Sequence, residues 1–233
     1  MSFSEQLRRE ADHVFQAIRQ HPFVQGLAHQ NLSRETLIHY VKQDVQYLKT
    51  YAKVYGLALA KSQTIEQMKF FHERIGVVLD GEALPHQNLC RAADVQYEDL
   101  KTHATHMAPT AHHYAHQMLA TAYAGTLGEI LAALLPCHWV YVDAAEYLLR
   151  EYRPTKEHLF YDWISFYASD PMQTSLQDFL HLLDAYADKA GTDELERMKA
   201  AFLAGCHLEY RFFDMAYTLE DWTLPVTQSQ SRK

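Results

Sequence analysis

The stretch LGEILAALLPCHWVY, Leu127–Tyr141, reads as a core helix in every respect but one, since a proline and a cysteine stand in its middle. Proline inside a helix removes one backbone hydrogen bond and clashes with the carbonyl four residues back, at a cost of roughly 3 kcal/mol. A kink at Leu135 resolves the conflict: Pro136 becomes the first residue of a new helical segment and Cys137 its second, close to free backbone N–H groups. Such a position is electropositive and lowers the pKa of a thiol, ordinarily about 8.5. Cys137 is therefore a candidate for a thiol of lowered pKa. The alternative is a small buried hydrophobe beside a packing kink.

Outward from this stretch, helix-period apolar spacing covers residues 3–19, 34–61, 64–79, 109–125, 127–152, 157–168, 173–189 and 193–219. The pairs His21-Pro22, Asp80-Gly81, Ala108-Pro109, Arg153-Pro154 and Asp170-Pro171, with Gly191, act as breakers between them. Ser33 and Thr192 are plausible N-caps. No convincing strand pair interrupts the pattern, so the expected class is all-α. The length of 233 residues points to one catalytic domain over 1–225, with VTQSQSRK, residues 226–233, as a disordered tail.

Composition narrows the function classes. With Lys and Arg at 21 against Asp and Glu at 29, the formal charge is -8, which argues against nucleic acid, whose phosphates call for a basic surface. The longest unbroken apolar run, Ile130 to Leu135, falls far short of the roughly 20 residues that span a bilayer. The N-terminus MSFSEQLRREADHV lacks the apolar core of a signal peptide, so a cytoplasmic protein away from membranes is expected. Cys90, Cys137 and Cys206 are odd in number and without a CxxC, suggesting neither a disulfide framework nor structural zinc. Histidine runs at 102–106 and 112–116 raise the question of metal, but the paired Glu-x-x-His of di-iron bundles is matched only once, at Glu10 to His13. No metal or cofactor is expected.

Two carboxylates stand in stripes that ought to be apolar. Asp44, Tyr47 and Tyr51 fall at i, i+3 and i+7 on one helix face. The face of Phe202, Cys206, Glu209, Phe213 and Ala216 is apolar except for Glu209. A carboxylate amid aromatic rings is costly unless it is hydrogen-bonded or keeps its proton, so Glu209 is a candidate for a raised pKa. The competing reading rolls each helix so that its acid reaches water.

The combination of HPFV at 21–24, YVKQDVQYL at 40–48, PTAHHY at 109–114, GEILAALLPCHWVY at 128–141, WISFYASD at 163–170 and the Glu209-Tyr-Arg-Phe-Phe stretch resembles the TenA, or thiaminase II, family. The resemblance covers nearly the whole chain, and its most specific part is the LLPC block with QDxxYL upstream. It implies a helical bundle similar to haem oxygenase, assembled as a homotetramer, that hydrolyses aminopyrimidines in thiamin salvage without a cofactor. It further implies that Cys137 is the nucleophile, that Asp44 grips the nitrogen edge of the pyrimidine, and that Glu209 handles protons at the leaving group and water. Tyr47 would stack on the ring, Tyr114, Tyr141 and Tyr167 would close the pocket, and Phe212 and Phe213 would supply apolar wall.

These residue types suit the chemistry. A thiolate adding to an electron-poor aminopyrimidine turns the ring into an electron source that expels an amine from the attached methylene; water then adds there and the thiolate leaves. A flat heteroaromatic ring also stacks favourably on tyrosines, by about 0.5–1.5 kcal/mol beyond burial. The substrate could be the free aminomethylpyrimidine, its formylated precursor or thiamin. Two other classes stay open: a non-catalytic pyrimidine-binding or regulatory protein on the same fold, and a haem-oxygenase-like metal oxygenase.

Overall fold

The computed structural model of the chain describes residues 1–81, 83–102 and 106–224, and among these every regular element is a helix. The expected tail at 226–233 and most of the histidine run at 102–106 lie outside the described residues. In chain order the helices are α1 (Phe3–Glu10), α2 (Asp12–Arg19), α3 (Pro22–His29), α4 (Arg34–Lys61), α5 (Ile65–Gly76), α6 (Ala83–Ala92), α7 (Tyr97–Thr102), α8 (Pro109–Ala124), α9 (Leu127–Tyr152), α10 (Tyr161–Tyr167), α11 (Asp170–Ala187) and α12 (Thr192–Thr218), with a π-helical turn at Val77–Gly81 after α5.

Local chemistry explains most boundaries. Ser33 caps α4 by accepting the Thr36 N–H at 3.0 Å, and Thr126 caps α9 by accepting from the Glu129 N–H at 3.3 Å. Ser2 and Glu5 form a reciprocal capping box on α1. Thr192, expected as a cap, is instead the first helical residue after Gly191, with no side-chain cap bond. Prolines at 22, 109 and 171 open α3, α8 and α11, because proline lacks only an N–H that the first turn leaves unpaired anyway. The expected helix 3–19 is two helices divided at Ala11, and α3, α6 and α7 were not expected.

Helix α9 occupies the centre. It packs against α12 above all, and also against α2, α4, α8, α10 and α11. Every residue from Leu127 to Pro136 is buried. Burial of side chains such as Leu131, Leu134 and Leu135 stabilises by roughly 1.5–3 kcal/mol each. By length and composition α9 is the one described helix that could cross a membrane, but its apolar stretch is largely covered by the rest of the fold.

The helix does not restart at Pro136. It runs without interruption from Leu127 to Tyr152, with Pro136 inside it, so Cys137 lies well within a continuous helix rather than at an electropositive N-terminus. The use of the proline is found on the opposite helix. Gly205 of α12 faces its ring so closely that a Cβ there would stand 2.7 Å from Pro136 Cγ and 3.2 Å from Pro136 Cβ. The two helices thus approach at a ring-on-backbone contact one residue before Cys137. Glu209, four residues after Gly205, lies on the same face of α12 one turn further on.

Candidate active site

Five helices bring the chemistry to one place. On α4, the spacing of Asp44, Tyr47 and Tyr51 puts all three on the buried face. Helix α9 contributes Cys137 and, one turn on, Tyr141; α12 contributes Glu209 with Phe212 and Phe213; α8 contributes Tyr114. Tyr167 arrives from α10.

These residues sort into a cavity and the layer behind it. The cavity, about 580 Å3 with its open mouth counted, is lined by Asp44, Tyr51, Arg74, Cys137, His138, Tyr141, Tyr167 and Met172 among others. Its aromatic walls and few polar groups suit a small heteroaromatic ligand. Glu209 is 2% exposed and lies behind Cys137. Its carboxylate accepts hydrogen bonds from the Tyr114 hydroxyl, at 2.8 Å to Oε1, and from the Cys137 thiol.

Glu209 therefore meets the expectation of a raised pKa. Burial is the largest cause and carries it to about 8; the negative charge of Asp44 pushes the same way, while the Tyr114 and Cys137 hydrogen bonds oppose. Such a group exchanges protons near neutral pH. Of the histidines bracketing Tyr114, His112 and His113 are exposed, so Tyr114 is the α8 side chain that reaches the site.

Tyr47 sits deeper than the other α4 groups. Its ring packs between Tyr114, at 4.9 Å between centroids, Phe212 at 5.4 Å and Tyr51 at 5.7 Å, and its hydroxyl points to the Met118 sulfur at 3.5 Å. Of the α4 tyrosines it is Tyr51 and Tyr55 that line the cavity, Tyr51 anchored by donating to the Leu134 carbonyl at 2.8 Å. Phe213 backs Tyr141 at 5.5 Å, and Phe212 packs on Tyr40 at 5.9 Å. Both phenylalanines support the tyrosines from behind.

Sequence reasoning missed three groups. His86 of α6 meets the Asp44 carboxylate, with 2.7 Å from Nε2 to Oδ2, and both side chains are buried. The need of a buried carboxylate for a donor was a signal that a partner exists, but with 15 histidines in the chain nothing in the spacing singled out this one. Tyr40 shares a hydrogen bond with Tyr141, 2.5 Å between hydroxyls. His138, next to Cys137, donates from Nε2 to the Met172 carbonyl at 3.0 Å, and burial lowers its pKa to about 4, so it is neutral at physiological pH.

None of the three cysteines is joined in a disulfide. Cys90 is enclosed, and burial pushes its thiol up to about 11. Cys206 is driven up further, again by burial. Only Cys137 is part of the cavity wall. Among the described residues no group of three or more His, Cys, Asp and Glu side chains is arranged to hold a metal ion, and the His112–His116 pair is a ring stack at 3.9 Å on the surface.

The sequence matches the model of the TENA/THI-4/PQQC family over residues 8–219. A protein of Staphylococcus saprophyticus named aminopyrimidine aminohydrolase is 30% identical over 224 residues, covering 96% of this chain and 97% of that one. Among solved structures, a TenA homologue from P. horikoshii superposes with a TM-score of 0.80 at 28% identity, over 94% of this chain and 99% of the other. A protein of Shewanella denitrificans described as having a haem oxygenase-like fold superposes with a TM-score of 0.69 at 11% identity, over 92% of each chain, which bears on the fold alone.

Proposed function

The chain belongs to the TENA/THI-4/PQQC family, and from that premise we propose that it is an aminopyrimidine aminohydrolase of thiamin salvage. It cleaves the C–N bond at the pyrimidine methylene of 4-amino-5-aminomethyl-2-methylpyrimidine, and of thiamin, to give hydroxymethylpyrimidine. The observation that carries this reading is the hydrogen-bonded line Tyr114, Glu209, Cys137, which ends in the cavity wall at Cys137, with Asp44 in the same wall. A thiol, a carboxylate that exchanges protons near pH 8 and an anionic acceptor for a ring edge are the groups the reaction asks for.

The steps follow from the geometry. Glu209 in its ionised form takes the proton of the Cys137 thiol, and the sulfur bonds to an electron-poor carbon of a pyrimidine that enters and leaves protonated at the ring nitrogen, where Asp44 stabilises the charge. The ring then returns its electron pair toward the methylene, the C–N bond breaks, and the amine leaves with the proton that Glu209 carries. Water adds to the exposed methylene and gives its proton to Glu209. Expulsion of the Cys137 thiolate restores the aromatic ring. Tyr114 holds Glu209 in register throughout, and Tyr141 and Tyr167 flank the substrate with ring faces and hydroxyls.

In this reading a glutamate, rather than a helix N-terminus, activates the cysteine. One catalytic unit, residues 1–225, assembled as a cytoplasmic homotetramer, completes the proposal. Incubation of the protein with the aminomethylpyrimidine, its formylated precursor and thiamin in turn, with chromatography for hydroxymethylpyrimidine, tests it. Product from at least one of the three is expected; product from none overturns the assignment.

A further inference from the structure

The geometry points to His86 as a positioning residue for the reaction: it fixes the orientation of the Asp44 carboxylate so that one oxygen is set to accept from the substrate ring. This rests on the proposed function. The contact joins two helices, α4 and α6, with 2.7 Å between Nε2 and Oδ2. His86 is 1% exposed and Asp44 5%, so water does not compete for the pair. A carboxylate oxygen can only accept, so Nε2 carries the hydrogen. The other ring nitrogen, Nδ1, is buried without a hydrogen-bond partner, and a hydrogen placed there would meet no acceptor.

The imidazole is itself clamped. Tyr97 of α7 lies 5.6 Å from it and Tyr40 of α4 6.5 Å, centroid to centroid, and the Tyr40 hydroxyl is tied to that of Tyr141. With Oδ2 held by a buried imidazole packed between two tyrosines, Oδ1 is the oxygen left for a ligand in the cavity that Asp44 lines. An acceptor fixed in this way distinguishes a ring bearing an amino donor from one bearing an oxo acceptor at the same position, because the mismatch buries two facing acceptors. The charged and titratable groups around Asp44 are Glu209 and Tyr141, which both sense its charge, with Cys137, Tyr167 and Arg74 around the same cavity. The donor seen on Asp44 is His86.

The test compares His86→Leu with His86→Gln, whose amide nitrogen reaches a place close to that of Nε2. His86→Leu is expected to lower kcat/KM on the aminomethylpyrimidine at least about tenfold, since a displaced catalytic contact costs on this scale or more. His86→Gln restores most of the loss and keeps the preference for the 4-amino over the 4-oxo ring in binding, which His86→Leu relaxes. Thermal melts of both variants separate unfolding from misplacement. An active parent whose His86→Leu variant keeps its kcat/KM overturns the positioning role alone, as does a His86→Gln variant no better than His86→Leu at equal melting temperature. A parent protein that neither binds nor turns over the pyrimidine overturns the functional reading, and the role of His86 with it.

Discussion

Asp44 and Glu209 are both buried carboxylates on long helices, 5% and 2% exposed, yet they are furnished differently. Asp44 meets an imidazole N–H across 2.7 Å. Glu209 meets a phenol and a thiol, and burial raises its pKa to about 8 despite both. Depth raises Glu209 against the pull of both its partners and leaves an acid that exchanges a proton, whereas Asp44 is tied to a buried imidazole.

The largest expected effect tests the proton-exchanging side at its nucleophile. Cys137→Ser abolishes turnover while leaving the helical circular dichroism unchanged, since a hydroxyl is a far weaker nucleophile at neutral pH. Cys90→Ala, in a thiol enclosed and raised to about 11, keeps parent-like activity. Activity of Cys137→Ser above about a tenth of the parent, a margin of about 1.4 kcal/mol in barrier, removes the nucleophile assignment.

Next in size comes the contrast itself. Glu209→Gln lowers kcat by roughly a hundredfold or more with little change in KM, because it acts where the proton moves. Asp44→Asn changes KM and kcat together, because the ring is gripped in ground and transition states alike. Steady-state kinetics showing one common pattern for both variants would erase the distinction.

The same glutamate makes a stability prediction of a few kcal/mol. A folded-state pKa raised from 4.5 to about 8 means that the folded protein holds the Glu209 proton more tightly than the unfolded chain. The stability this gives is fully present below about pH 4.5 and is lost progressively as pH rises toward 8. Glu209→Gln, which cannot ionise, therefore melts higher than the parent at pH 8, and the advantage shrinks toward pH 4.5. Melting curves at the two pH values check it; a gain of equal size at both would mean that ionisation is not the cause.

The smallest effect concerns the helix contact that sets Cys137 opposite Glu209. Gly205→Ala forces a Cβ to 2.7 Å from the Pro136 ring and costs about 1–3 kcal/mol through overpacking, with slower turnover as α12 shifts. In a Pro136→Ala background the same substitution costs less. A double-mutant cycle in denaturant checks the coupling, and strict additivity would show that the ring and the glycine do not meet.

Much of this contrast was legible from spacing. The long helices, the acid in an apolar stripe at Glu209 and the α4 face with Asp44 all follow from a 3.6-residue period, which is a local property. What was not legible depends on distant partners. Pro136 looks like a break when α9 is read alone, because the glycine that receives its ring belongs to α12. His86 lies in a short helix of mixed composition, and its burial comes from the helices packed around it. The division at Ala11 and helices α3 and α7 are too short for periodicity to resolve. Tyr47 shares a helix face with Tyr51, and spacing alone does not say which ring reaches the cavity.

The dependence of α9 on α12 also bears on how the chain is made. Synthesis proceeds from the N-terminus at roughly 5–20 residues per second, so α9 is complete several seconds before the end of α12 has been added. During that interval the central helix of the fold lacks its principal cover, and the apolar face that α12 will bury stays open. Release of the last helix, rather than formation of the first, completes the core.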